Sequence, residues 1–475
     1  MKNSLHKMIG RTLLVLACTL FASNAWANVT IYVNSYDASA SNIYYWGDGM
    51  QGTNWPGVLI NTLEPETIDG VLWYKKTFEN VDKVSCLFNE KDNNNNKTED
   101  IVDLQGTKHL RYNGGSGYYI FENTTWRVAG TTNNHSGEGD PIFGTSWNTG
   151  LAANVMSHTE HYSIFTWTSA PVELAANSSV AFKVVRDGND YIPSGNNNDV
   201  ICSVSEAGTY VLKVTYTLNT SAPVGEFIKV LKEDATNFPD SEFLLYVSSL
   251  NINHMVSGYW TPAELAQVTS MDCSNQGISS LKGIENFAAL TTLNCSGNHL
   301  SSIDLSHNAV TDLTAGGQTV AYASGIVERN KGNICYIWLN QFVNGLPSVA
   351  QSEFDMSRVT WGTGCHTGSS TGTNENPGPT DILIVDETSN NAGSFKYNYA
   401  TTLSKAFDSS MDVTVSWSGT SPSTGINTIS AGKGEVKAVR YYNLMGVESA
   451  TPFDGVNIVV KEFNDGTRET SKVVK

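Results

Sequence analysis

Positive charge is scarce: 29 Lys and Arg stand against 46 Asp and Glu, and charged residues of both signs make up only 16% of the 475 residues. The first 27 residues hold Lys2, Lys7 and Arg11 and no acid, so the remainder carries 26 basic and 46 acidic residues, a net charge of −20. A polyanion of that size is repelled by nucleic acid and by anionic membrane surfaces, which makes both poor partners. Cysteine is sparse as well, at seven. Beyond Cys18, the thiols of Cys86, Cys202, Cys273, Cys295, Cys335 and Cys365 are too few for a disulfide scaffold in a chain of this length. Cys86 and Cys202 sit in the strand-like runs Val84–Phe88 and Val200–Cys202 and read as buried thiols. Cys335 with Cys365 is the one disulfide candidate, which the sequence leaves open.

Long apolar runs are also missing. Thr12 to Ala22 is too short to span a bilayer; following Lys2, Lys7 and Arg11 and preceding Ala25-Trp26-Ala27, it reads as a secretory signal over 1–27. Val15-Leu16-Ala17-Cys18 offers a lipidation alternative. No later stretch is a membrane-span candidate. The motifs of catalysis are absent too. A glycosidase commonly needs a barrel of about 250 residues carrying two carboxylates, and no such βα alternation occurs. His158-x-x-His161 lacks the glutamate of a zinc-protease helix, Gly114-Gly115-Ser116-Gly117 misses the nucleophile-elbow spacing, and there is no phosphate loop or Cys-x-x-Cys. The chain is expected to be non-catalytic, without cofactor or bound metal.

What it has in quantity is Gly, Asn, Ser and Thr, with 20 Tyr and 11 Trp. That composition suits β domains whose exposed aromatics meet an uncharged polar ligand. Three or four domains are expected after the leader, at roughly 100 to 200 residues each.

Residues 28–122 alternate like antiparallel strands: Val29, Ile31 and Val33 share one face, and Val84, Cys86 and Phe88 repeat the pattern. The same alternation sets Tyr44 and Trp46 opposite Ile43 and Tyr45, while Trp55 lies on a loop stiffened by Pro56. The order Asn42 to Asp48, Trp55-Pro56-Gly57-Val58, Trp73 to Phe78, Leu87-Phe88-Asn89 and the polar run Lys91 to Asp100 resembles the family twenty-six starch-binding carbohydrate-binding modules. That resemblance implies a sugar platform of Tyr44, Trp46 and Trp55, assisted by Lys97 from the late loop, with Trp73, Tyr74 and Phe78 inside. The late loop departs from the family: Lys97-Thr98-Glu99-Asp100 stands where Gln-Thr-x-Asp is expected, and Asn93 to Asn96 lengthen it. An α-1,4-glucan coil presents successive C–H faces around a curve, so aromatics set at an angle bind it without charge.

Residues 124–218 read as a second β unit, from Thr125-Trp126-Arg127-Val128 to Gly208–Tyr216. They look like the immunoglobulin-like starch-binding modules that flank amylases and pullulanases and occur in surface glycan-binding lipoproteins. Those usually carry a Trp after the strand that here is Phe182–Val185. This chain offers only Tyr191, so a structural spacer is the favoured expectation, with Trp147 and Tyr191 the candidate ligand contacts.

Over 227–365 the character changes. Glu226 to Leu250 and Pro262 to Val268 are helix-like, and apolar residues then recur at Met271, Leu281, Leu293, Ile303 and Leu313. Such a ladder is a solenoid signature, with Cys273, Cys295, Leu300 and Leu305 also inward and Asn298 and Asn308 capping the coil's backbone. Leu290 to Leu300 strongly resembles the bacterial cell-surface leucine-rich repeat, capped by the preceding helices. Relatives often place an EF-hand-like loop before this repeat. Here Gly258 to Glu264 keeps the frame, but the ligand positions read Asn253, Met255 and Ser257, so no calcium is expected.

His366 to Asp381 reads as a flexible linker and 382–475 as a last β domain. Val439 to Gly446, Pro452 to Val460, Asp465-Gly466-Thr467 and Lys472 to Lys475 resemble the C-terminal sorting domain of type IX secretion. The expected fold is thus multidomain and mainly β: two immunoglobulin-like β-sandwich modules, a short leucine-rich-repeat solenoid with helical cap, and a C-terminal β domain. The expected function is capture of starch or a malto-oligosaccharide at the cell surface, the outer-membrane exterior. The alternative is an adhesin whose repeat binds a host or partner protein.

Overall fold

The structure is a computed structural model that describes residues 28–91, 93–330, 334–368, 382–385, 387–389, 392–401, 403, 410–418, 436–442, 448–453, 456–463 and 468–474. The leader at 1–27, with Cys18, lies outside the described residues, as do Gly446, Gly455, the Asp465-Gly466-Thr467 turn and Lys475 of the tail motif. The described chain is mainly β, in many separate sheets, and divides into two compact units, Met1–Ile228 and Lys229–Lys475.

The first unit opens with β1 (Val29–Ser35), β2 (Ser41–Trp46), β3 (Val58–Leu59), β4 (Glu64–Ile68), β5 (Val71–Phe78), β6 (Val84–Glu90), β7 (Asn93–Lys97), β8 (Ile101–Leu104), β9 (Thr107–Gly114) and β10 (Gly117–Ile120). One sheet runs β10-β9-β1-β5-β4; the other runs β3-β2-β6-β7, with β8 also on β6. The period of two expected from the sequence holds: Val29, Ile31, Val33, Ile43, Val84, Cys86 and Phe88 are buried together in one core.

Strand β5 is covered on both faces. Tyr74 and Phe78 turn into that core, but Trp73 and Val71 face the other way and are buried in a second cluster. There they meet Trp126, Phe165 and Tyr216 of the following β module, and the Trp73 indole N–H donates to Ser163 Oγ at 3.0 Å. In that module Trp126–Thr132 pairs along its whole length with Ser179–Arg186, and Ile164–Thr168 pairs with Gly208–Thr217. Residues 28–122 and 124–218 therefore share a continuous core and form one body.

In the second unit, Ser270–Asp272, Thr292–Asn294 and Asp312–Thr314 form a parallel sheet with Met271, Leu293 and Leu313 in register. The ladder of apolar residues is thus two ladders, with Leu281 and Ile303 buried on the segments between strands. Asn298, wholly buried, donates to the Cys273 and Cys295 carbonyls at 2.8 and 2.9 Å and accepts from the Gln276 and Ile278 amides. Gln318 repeats this role by donating to the Cys295 and Ala315 carbonyls, whereas Asn308 binds the carbonyls of Ile284 and Phe287.

Three expectations are corrected here. Of the helix expected over 226–250 only Ser241–Ser248 forms, and of that over 262–268 only Pro262–Leu265, because Val224–Lys229 alternates as a strand and Asp240 caps the first helix by accepting from the Glu242 and Phe243 amides. The linker placed at 366–381 starts inside a sheet: Cys365–Gly368 pairs with Ile382–Val385, and residues 369–381 lie outside the described residues. The structure does not join Cys335 to Cys365. The two cysteines flank Val385 from opposite sides, two strand spacings or about 9.6 Å apart, beyond the reach of a disulfide.

Gln318–Ala321 pairs in parallel with Val413–Ser416, and the buried residues of 271–346 and 383–417 belong to one cluster. A separate four-stranded sheet of Val436–Tyr442, Glu448–Ser449, Val456–Phe463 and Arg468–Val474 ends the described chain. No helix among the described residues is long and apolar enough to cross a membrane.

Candidate binding site

Alternation along β2 sends Ile43 into the core and leaves Tyr44 and Trp46 half-buried on the opposite face. The chain returns over that face through the 47–57 loop. Thr53 N–H donates to the Tyr45 carbonyl, and Tyr45 N–H to Thr53 Oγ1, both at 3.1 Å. Gly57, at φ +99°, packs so tightly on β2 that a Cβ there would lie 2.3 Å from the Ile43 carbonyl oxygen. Only glycine fits that conformation and that contact.

The outcome is a surface cluster of three rings. Tyr44 and Trp46 lie 5.4 Å apart at a 35° tilt, and Tyr44 and Trp55 lie 5.6 Å apart at 67°. Trp55 is 46% exposed, a large apolar ring left in solvent. Lys97 Nζ, from β7, stands 5.4 Å over the Trp55 ring in a cation–π contact. The structure therefore brings together all four residues singled out in 28–122. Their faces are inclined to one another, so the cluster presents a curved apolar surface with one cation at its edge.

Trp147 and Tyr191 open onto one cavity of about 450 Å³, lined also by Lys183, Gly195, Asn196, Asn197 and Asp199. Tyr191 is exposed and Trp147 half-buried. Lys183 is buried, donates to the Pro193 and Gly195 carbonyls, and lies 3.5 Å from Asp199. Reading the sequence missed Lys183; a lone lysine within the apolar strand Ser179–Arg186, on the face opposite the core residues Val180, Phe182 and Val184, is the signal that could have found it. The approach to Trp147 is fixed by Asp140, a buried carboxylate accepting from Thr132 N–H and Oγ1, the Ile142 and Phe143 amides and Ser146 Oγ. Burial pushes its pKa up, and the hydrogen bonds outweigh that, holding it below the ordinary carboxylate value.

The His158 and His161 side chains part company. His158 stacks on Tyr162, and His161 Nδ1 faces His109 Nε2 of the first β module at 2.9 Å. At the EF-hand-like entrance, Glu264 accepts from the Met255 and Thr261 amides, closing a capping box with Thr261.

No family model matches the chain. Internalin J of Listeria monocytogenes serotype 4b (strain F2365) is 31% identical over 113 residues, which is 23% of this chain and 12% of that protein. The chain thus spans about one-eighth of the length of the curated relative it matches. Among solved structures, the CBM25-2 module of a β/α-amylase from Paenibacillus polymyxa is 23% identical, with 18% of this chain and 80% of that chain covered and a TM-score of 0.15. The family CBM26 module CBMbc of Eubacterium rectale Amy13K, in complex with maltoheptaose, is 14% identical, with coverages of 42% and 86% and a TM-score of 0.14. The CBM51-2 and INT domains of Clostridium perfringens ZmpB give 10% identity, coverages of 82% and 99%, and a TM-score of 0.19. None of these scores reaches the level of a shared fold, so the functional reading stands on the chain's own residues.

Proposed function

We propose that this chain captures starch or a related α-glucan, without catalysis, and that the rings of Tyr44, Trp46 and Trp55 are the binding platform. The observation that carries the reading is their geometry: three rings 5.4–5.6 Å apart at tilts of 35° and 67°, the outermost one exposed. Inclined apolar faces suit a coiled glucan, whose sugar faces turn along the chain, better than a flat ribbon. Lys97 supplies a donor at the rim, where sugar hydroxyls pass. The cavity of Trp147 and Tyr191 is a second contact for the same ligand, with Lys183 spent on holding its wall. Secretion through the leader at 1–27 and surface attachment through the type IX-like tail belong to this reading, and so does a leucine-rich-repeat identity for the parallel sheet.

That sheet favours a second role alongside the first. Ser270, Asp272, Asp312 and Thr314 stand exposed on the strands, a polar row available to a protein partner as in an adhesin. Affinity electrophoresis tests the main reading. The chain should be retarded in gels containing amylopectin or pullulan and not in dextran gels, and Trp55→Ala should restore most of its mobility. Equal migration in all gels overturns the proposal.

A further inference from the structure

Tyr44 and Trp46 sit on a strand but Trp55 sits on a loop, so the platform needs something that fixes the loop's height over the strand. Asn42, Tyr44 and Trp46 share one face of β2, and the β2–β6 register sets Asn42 directly across from Asn89. Both asparagines are buried, at 4% and 0% exposure, on the very face that carries the exposed platform. The 47–57 loop folds back against their end of it. Asn89 Nδ2 donates to the Pro56 carbonyl at 2.8 Å, and Asn89 Oδ1 accepts from Asn42 Nδ2 at 3.0 Å. On its other side Asn89 is the register partner of Lys97 in β7. One buried amide thus bonds the carbonyl of Pro56, the residue after Trp55, lies opposite the residue two before Tyr44, and pairs with the strand position that places the cation.

An amide taken out of water needs its hydrogen bonds made, and a sheet position of this kind is ordinarily filled by an apolar side chain. The hydrogen bond that Asn89 donates goes to the turn carrying Trp55. We infer that Asn89 is a positioning residue for the platform: its amide, backed by Asn42, holds the Pro56 carbonyl so that the Trp55 ring stands inclined to Tyr44 before any glucan arrives. Such preorganisation raises affinity by removing the cost of ordering the loop on binding. The inference rests on the platform reading.

A double-mutant cycle read by titration calorimetry with maltoheptaose on the whole chain separates the two. Trp55→Ala should weaken binding. Asn89→Ala should weaken it roughly five- to twentyfold, with the circular dichroism spectrum unchanged. In the Trp55→Ala background Asn89→Ala should cost almost nothing further, since its effect passes through that ring. Asn89→Asp, which keeps the volume and loses the donor to Pro56, serves as a second variant should the alanine variant not fold. It should behave in the same way. If Trp55→Ala weakens binding but the Asn89 variants leave it unchanged, or multiply with Trp55→Ala in the double variant, the positioning role is overturned and the platform stands. If Trp55→Ala itself leaves affinity unchanged, the platform reading fails and the inference falls with it.

Discussion

His109 Nε2 lies 2.9 Å from His161 Nδ1, a hydrogen bond that joins the first β module to the second. The other ring nitrogen of His109 faces Glu122 Oε1 at 2.9 Å, and the same carboxylate accepts the His109 backbone N–H at 3.0 Å. Tyr32 stacks on the His109 ring at 5.0 Å and 7°, and Trp73 meets its edge at 5.5 Å. Each of these partners lies in the seam where the two β modules share their core, and the first prediction concerns that seam.

Trp73→Ala should destabilise residues 28–228 by about 3–5 kcal/mol, the usual cost of emptying a buried tryptophan site, and should also strand Ser163 without its donor. His161→Ala removes one hydrogen bond and should cost about 1 kcal/mol. Calorimetry should show the unit unfolding in one transition in the natural chain and in two after Trp73→Ala. A single transition at an unchanged temperature would mean that the shared core does not couple the β modules.

Lys97→Ala isolates the cation over Trp55. Its exposed position predicts unchanged thermal stability and a loss of about 0.5–1 kcal/mol in malto-oligosaccharide binding, a few-fold in affinity. Surface plasmon resonance with immobilised chain measures it. Lys97→Arg should retain most of the affinity.

Asp140 gives the second β module an acid sensitivity with a defined sign. Its folded pKa is held below the ordinary carboxylate value, so it contributes stability above that value and the contribution is lost as pH falls through it toward the folded pKa. Melting curves of the natural chain and of Asp140→Asn should differ most near neutral pH and converge in acid. A gap that widens on acidification would contradict this assignment.

Thiol labelling of the native chain should separate the cysteines. Cys86, Cys273, Cys295 and Cys335 are buried, and burial pushes the Cys86 and Cys273 thiols up to about 12 and the Cys295 thiol higher still. Cys202 and Cys365 are half-buried and should react first. Oxidation should not link Cys335 to Cys365. Fast reaction at both Cys273 and Cys295 would sink the inward placement of the two.

Tyr44, Trp46 and Trp55 were legible because their signals are local: a period of two along one strand, then Trp-Pro-Gly punctuation. Asn89 was not, since its importance depends on a cross-strand partner and on a loop carbonyl from elsewhere in the chain. The resemblance places Trp73, Tyr74 and Phe78 inside together, whereas Trp73 is buried on the opposite face of the strand, in a core completed by residues far along the chain. The Gly, Ser, Thr and Pro of 366–381 have one composition whether they separate two domains or join two strands of a sheet, and the pairing of Cys365–Gly368 with Ile382–Val385 decides between these. The helix expected at 226–250 failed at Val224–Lys229, where a short apolar run fits either period and the partner strand Gly208–Thr217 selects extended chain.

The parallel pairing of Gln318–Ala321 with Val413–Ser416 sets an order of events. A chain emerging from its N-terminus presents residues 318–321 long before the strand that covers them exists. Until Ser410–Ser418 arrives, that edge is an open row of backbone donors and acceptors, a template for any passing strand. A fragment ending ahead of residue 410 should therefore stick to copies of itself, and a chaperone that holds extended, unpaired segments would find its binding site there.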